Sequence, residues 1–371
     1  MASAAFLMAA CQSDDEQNGT VDNGNLATVK FEFDAGAINH EVSTPSTRAY
    51  TVPAYDVANF SIYAFRLVGT EYQFEKEIST TNMSYSISDK MLIGTDKLTI
   101  GTYKFLPVYG LKKQTNVLTV PTWTGAPNDN ALITYKGNGA LGEIFMRTGS
   151  DVASLKTYVL GTTDAQNEIV KDTLRRAVSR VDVMFISADK VNGQYVEKVY
   201  PGANNILDGK TIDNFELRFT NYNNKMNFFG DKIASANAPL TVSLGNFGST
   251  MAIGTGTKTE LGSAGYAKYD NIDPADIISG SAHFFGTYMI PNATTTSNVG
   301  LQLFIKPVGG DGRTINVNYG TDNLIPLERN KITIVKVYVL KGNNVFSTEV
   351  EFEVKIDTVW EDANTATGEI K

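Results

Sequence analysis

The feature that most narrows the folds open to this chain is a two-residue hydrophobic period that returns along its length. Near the C-terminus, Val350, Phe352, Val354 and Ile356 alternate with Glu351, Glu353, Lys355 and Asp357. Successive side chains on an extended backbone point to opposite faces, so this pattern makes a strand with one apolar and one charged face. Near the N-terminus, Val29, Phe31 and Phe33 alternate in the same way with Thr28, Lys30, Glu32 and Asp34. Mid-chain, Phe215, Leu217 and Phe219 alternate with Asn214, Glu216 and Arg218. Phe60–Val68 is apolar on both faces, which predicts an inner strand. Lys104–Tyr109, which follows Gly101, carries Pro107, whose missing N–H predicts an edge position or a bulge.

Further strands are expected over Arg176–Ile186, Leu301–Ile305 and Ile332–Leu340, while helical patterning is confined to a single turn over Asp273–Ile278. Gly309-Gly310-Asp311-Gly312 lies between strands and lacks the strand-to-helix setting of a phosphate loop, so it reads as a hairpin loop. Many short strands punctuated by glycine and asparagine predict an all-β chain of β-sandwich architecture. A length of 371 residues accommodates two such domains, and the polar stretch 163–172 reads as the seam between residues 49–172 and 173–371. The last strand, about residues 345–360, has two fates: it folds back as an edge of its own sheet, or it completes a sheet in another subunit.

Several function classes are disfavoured. A formal charge of −8 and a pI near 5.0 argue against a nucleic-acid surface. Only His40 and His283 are available to a Ser-His-Asp arrangement, and no paired Cys/His spacing for zinc occurs. No catalytic residue, cofactor or metal is therefore expected, and the chain is read as a non-enzyme. Aromatic residues such as Trp123 and Tyr109 on one sheet face would suit a sugar, which keeps a glycan-binding surface lipoprotein as an alternative.

The single cysteine, Cys11, closes the run Leu7-Met8-Ala9-Ala10-Cys11. Residues 1–10 are short and apolar and end in small residues, as a signal peptide does, although no Lys or Arg precedes Cys11. The run resembles a bacterial lipobox, whose cysteine is acylated. Residues 11–26 are acidic and rich in Gly and Asn, the composition of a flexible tether. With one cysteine there is no intrachain disulfide, so packing must hold the body together.

Three segments, taken in order, are similar to the fimbrillin family, the FimA-like pilus subunits of Bacteroidales. They are Asn25–Gly36 followed by Thr47-Arg48-Ala49; the Arg-rich Leu174–Val183; and Leu327–Val337 with the closing Val354–Trp360. The resemblance implies two tandem transthyretin-like β-sandwiches and a lipoprotein held in the outer membrane through Cys11. The acidic Ser13-Asp14-Asp15-Glu16 resembles a signal for display at the cell surface. A pro-segment, residues 27–48, would fill a groove with the strand of Val29, Phe31 and Phe33. An arginine-specific protease would cut between Arg48 and Ala49. The donor strand of Val350, Phe352, Val354 and Ile356 would then enter the open groove of the next subunit. The implied partners are other fimbrial subunits, copies of this chain together with anchor and tip subunits, in a fimbria that supports adhesion. An uncleaved anchor subunit kept on the membrane by Cys11 is the related alternative.

Overall fold

The structure is a computed structural model. It describes residues 25–34, 56–197 (apart from 87–88, 90, 140, 148 and 164–166), 210–230, 238–247, 282–291, 299–317, 324–340, 344, 346 and 350–357. Among these there is no α-helix, only short 3-10 turns between strands. The Asp273–Ile278 turn and His40 lie outside the described residues.

The first half contributes β1 (Leu26–Asp34), β2 (Phe60–Val68), β3 (Glu71–Glu77), β4 (Met83–Ser86), β5 (Met91–Thr99), β6 (Gly101–Tyr109), β7 (Leu118–Thr119), β8 (Leu132–Tyr135), β9 (Phe145–Met146), β10 (Tyr158–Leu160), β11 (Val170–Thr173) and β12 (Arg175–Arg176). Ten of them build two sheets, ordered β11-β1-β5-β4 and β12-β9-β6-β2-β3, with β10 also on β6. Phe31, Phe33, Phe60, Ile62, Phe105 and Tyr158 fill the space between them. The double-sided apolarity of β2 has a simple cause. Phe60, Ile62 and Ala64 face that core, while Tyr63 and Phe65 turn to a second one containing Trp123 and Phe228.

Pro107 corrects an expectation. Its strand is interior, with Pro107 opposite Ile62 of β2. On the other side, β10 covers Gly101–Tyr103 and β9 covers Val108–Tyr109, so Pro107 falls in the gap where no neighbouring strand needs its N–H.

The second half contributes β13 (Ser179–Val191), β14 (Gln194–Glu197), β15 (Ile212–Tyr222), β16 (Lys225–Asn227), β17 (Ala238–Phe247), β18 (Ala282–Met289), β19 (Val299–Pro307), β20 (Arg313–Val317), β21 (Leu324–Ile325), β22 (Ile332–Leu340) and β23 (Val350–Asp357). One sheet runs β14-β13-β22-β23 with β18 on β13, and the other runs β17-β15-β19-β20 with β21 on β19. Val181, Val183, Val335 and Val337 of the first and Leu217, Phe219, Leu303 and Ile305 of the second share one core. Phe185 and Phe215 meet edge to face across it at 6.0 Å. The glycine-rich turn joins β19 to β20 as a hairpin, with Gly309 at φ +70.

The two halves are continuous. A small sheet, β16-β8-β7, draws strands from both. The stretch read as a seam supplies Val170–Asp172 to β11, and β12 follows into the sheet of β9, so the chain leaves the N-terminal sheets only after Arg176. The reason lies in β1, whose second edge needs a partner that β11 provides.

Candidate functional site

The sequence directs attention to the N-terminal strand, and the geometry explains why. β1 is an interior strand of its sheet. All nine residues pair antiparallel with β5, from Leu26 opposite Thr99 to Asp34 opposite Met91. Phe31–Asp34 also pair parallel with Val170–Thr173 of β11. Backbone bonds extend this hold at both ends, with the Ile100 N–H donating to Asn25 O at 2.8 Å and the Leu174 N–H to Asp34 O at 3.1 Å. Where β11 stops, Asn167 Nδ2 donates to Thr28 O at 3.2 Å.

The apolar face of β1 is sealed: Ala27, Val29, Phe31 and Phe33 are each 0% exposed. Phe31 meets Phe105 edge to face at 5.3 Å and lies 5.8 Å from Phe33. Val29, Phe31 and Phe33 together bury surface worth on the order of 5–9 kcal/mol, at about 1.5–3 kcal/mol for each large side chain. On the outer face, Glu32 pairs with Lys171 at 2.9 Å, and Lys97 stands exposed opposite Thr28. Beside Phe33, burial pushes the Asp172 carboxyl up, opposed by Arg147 at 3.2 Å. Lifting β1 out would expose an apolar channel with unpaired backbone on both walls and lysines on its outer rim.

Cys11, Arg48 and Ala49 lie outside the described residues. Val350, Phe352, Val354 and Ile356 belong to β23, which in the single chain pairs antiparallel with β22, Phe352 opposite Val337 and Val354 opposite Val335. No strand pairing among the described residues joins β23 to the sheet of β1.

The Arg-rich segment is a structural tie. Arg176 is 3% exposed, and its Nε and Nη2 donate to Glu143 Oε1 at 3.0 and 2.7 Å. Its Nη1 donates to Asn330 Oδ1 at 3.2 Å, and its guanidinium lies over Phe145. Arg329 then donates from Nε to Arg176 O and from Nη1 to Phe229 O. This cluster joins β12 to the turn before β22. Glu143 and Asn330 were not legible in the sequence, because nothing at positions 33 and 154 residues away marks them as partners.

The sugar-binding expectation for Trp123 and Tyr109 is corrected for want of an open aromatic face. Trp123 is 5% exposed and packed against Phe65 at 5.1 Å and Phe228 at 4.8 Å. Tyr109 packs on Phe60 and Phe145, on the opposite side of β2 from Trp123. Among the described residues no three His, Cys, Asp or Glu side chains gather as metal ligands, and no helix is long and apolar enough to cross a membrane.

Fold and site together define an all-β protein of paired sheets whose N-terminal strand is an interior element of the first pair. No family model matches the chain, and no curated protein does. Among solved structures, it is similar to a candidate adhesin from Bacteroides thetaiotaomicron, with 9% identity, TM-score 0.44, and 90% of this chain and 97% of that chain covered. A candidate polysaccharide-binding protein from the same species shows 11% identity, TM-score 0.42, and coverage of 89% and 97%. The fimbrial anchor protein of Porphyromonas gingivalis shows 12% identity, TM-score 0.37, and coverage of 89% and 96%.

Proposed function

We propose that this chain is a structural subunit of a cell-surface fimbria, polymerised by exchange of its N-terminal strand. In this reading Cys11 carries the lipid that holds the precursor at the outer membrane. An arginine-specific protease cuts between Arg48 and Ala49. The body then consists of two tandem sandwiches, the first running from Ala49 through β12 and the second from β13 onward, with the seat of β1 open to the C-terminal strand of another copy. The observation that carries the proposal is the burial of β1 between β5 and β11, with four apolar side chains sealed from solvent.

A cut after Arg48 falls between β1, which ends at Asp34, and β2, which begins at Phe60, so it severs β1 from the body without dividing either strand. Pro45 and its Ser/Thr neighbours give the segment before Arg48 the composition that suits a protease site. After the cut β1 is held only noncovalently, and a strand with a matching apolar face replaces its backbone bonds one for one. Because the donor and the acceptor are different surfaces, the contact does not close on itself and grows a filament.

Arg48→Ala tests the proposal. The variant is expected to accumulate as full-length lipoprotein without fibres, while wild-type protein from surface fractions begins at Ala49 on N-terminal sequencing. Normal fibres from Arg48→Ala would refute it.

A further inference from the structure

The two ends of this chain carry the same strand. Thr28-Val29-Lys30-Phe31-Glu32-Phe33-Asp34 aligns without a gap on Glu349-Val350-Glu351-Phe352-Glu353-Val354-Lys355. Val29, Phe31 and Glu32 recur as Val350, Phe352 and Glu353, Phe33 is matched by an apolar Val354, and Ala27 by the small Thr348. We propose that the exchanged strand enters in this one register. Phe352 of a second copy takes the seat of Phe31 against Phe105, and Glu353 takes the place of Glu32 at Lys171. The inference rests on the strand-exchange reading above and specifies its occupant residue by residue.

Charge supports the register. The rim of the seat presents Lys171 beside position 32 and the exposed Lys97 opposite position 28. In the proposed register Glu353 inherits the Lys171 partner, and Glu349, standing where Thr28 stood, meets Lys97. The outer face of β1 mixes Lys30 with Glu32 and Asp34, whereas the incoming strand brings Glu349, Glu351 and Glu353 to the same rim, with Lys355 in the place of Asp34. The copy thus answers the two lysines with more negative charge than the original.

The neighbouring registers fail for separate reasons. A slip of one residue in either direction turns the charged face into the core. A slip of two that moves Val354 to the Phe31 seat brings Lys355 against Lys171, a like-charge pair. The opposite slip of two moves Phe346 onto the seat of Ala27, which is fully buried and sized for a methyl group. Only the register defined by the shared Val-x-Phe-Glu avoids all four faults. Its departure on the apolar face is Val354, which leaves the Phe33 seat partly filled, and on the outer face Glu351 and Lys355 reverse the charges of Lys30 and Asp34.

Disulfide trapping reads the register directly. Residues directly opposite on antiparallel strands lie about 4.5–5.5 Å apart at Cα, within reach of a disulfide. Position 32 stands opposite Ile93, which is 39% exposed and tolerant of change. In the full chain, whose own Cys11 leaves with the pro-segment, Ile93→Cys combined with Glu353→Cys is expected to give a ladder of disulfide-linked multimers on non-reducing denaturing gels. Ile93→Cys with Glu351→Cys, or with Lys355→Cys, is expected to give none. A ladder from either of these pairs instead, in chains starting at Ala49, would overturn the register and leave strand exchange standing. No ladder from any pair, or fibres that retain residues 26–34, would overturn strand exchange itself. Lys171→Glu is expected to slow assembly and Glu353→Lys in the same chain to restore it; absence of that rescue would refute the ion pair.

Discussion

Replacing Phe31 by alanine isolates what β1 contributes to the precursor. Phe31 is fully buried, packed edge to face on Phe105 and beside Phe33, in the middle of a strand paired on both sides. Truncating a buried phenylalanine to alanine costs about 3–5 kcal/mol, lost transfer energy and the residual cavity together. The edge-to-face contact accounts for roughly 0.5–1.5 kcal/mol of that. With a urea dependence of about 3 kcal/mol per molar, the upper part of the usual range and suited to a long chain, the unfolding midpoint should fall by about 1–1.7 M. Phe31→Leu keeps most of the volume and should cost no more than about 1.5 kcal/mol. The assay is urea unfolding of the uncut chain followed by circular dichroism. A second arm makes the reasoning specific to β1: once residues 26–34 have been cut away and displaced, variant and wild type are the same polypeptide and must unfold alike. An unchanged midpoint for Phe31→Ala in the uncut chain would refute the integral role of β1. A difference that survives removal of the strand would refute its confinement to the precursor.

Three further outcomes follow from other parts of the molecule. Arg176→Ala should destabilise the chain by roughly 2–3 kcal/mol in urea unfolding, because charged hydrogen bonds to Glu143 are lost at a nearly closed site, and Glu143→Gln should cost less. Burial pushes the Tyr63 phenol up to about 12 from 10.0. The folded chain therefore holds that proton more tightly than the unfolded one, so the contribution of Tyr63 to stability is complete below pH 10 and is lost as pH rises through 12. Absorbance titration of wild type against Tyr63→Phe should show one phenol missing from the high-pH phase, and a difference near pH 10 would contradict the assignment. Gly110→Ala should cost at least about 1–3 kcal/mol in thermal or urea unfolding, since Gly110 sits at φ +95 and an added Cβ would lie 2.1 Å from Glu143 O.

The elements legible in the sequence were those whose signal is local. Alternation over two residues announces a strand and its apolar face, so β1, β15 and β23 could be placed from Phe31, Leu217 and Val354 with their neighbours. The two-faced β2 was legible for a related reason: a strand with no polar face has to be covered on both sides. The Gly309–Gly312 hairpin followed from turn chemistry. Pro107 was placed wrongly because its backbone need depends on which strands stop short beside it, and that is a property of the sheet.

What the sequence determined by itself is the class of fold, the faces of its strands and the likeness between its first and last strands, all of which are short-range patterns in one dimension. Only the tertiary structure decided that β1 is an interior strand between β5 and β11, that Trp123 lies inside a core, and that Arg176 closes on Glu143 and Asn330. Each of these depends on which distant segments become neighbours. That choice is made by the joint packing of whole sheets, where every strand must find two edges and one core at once, and no window of local sequence contains the information.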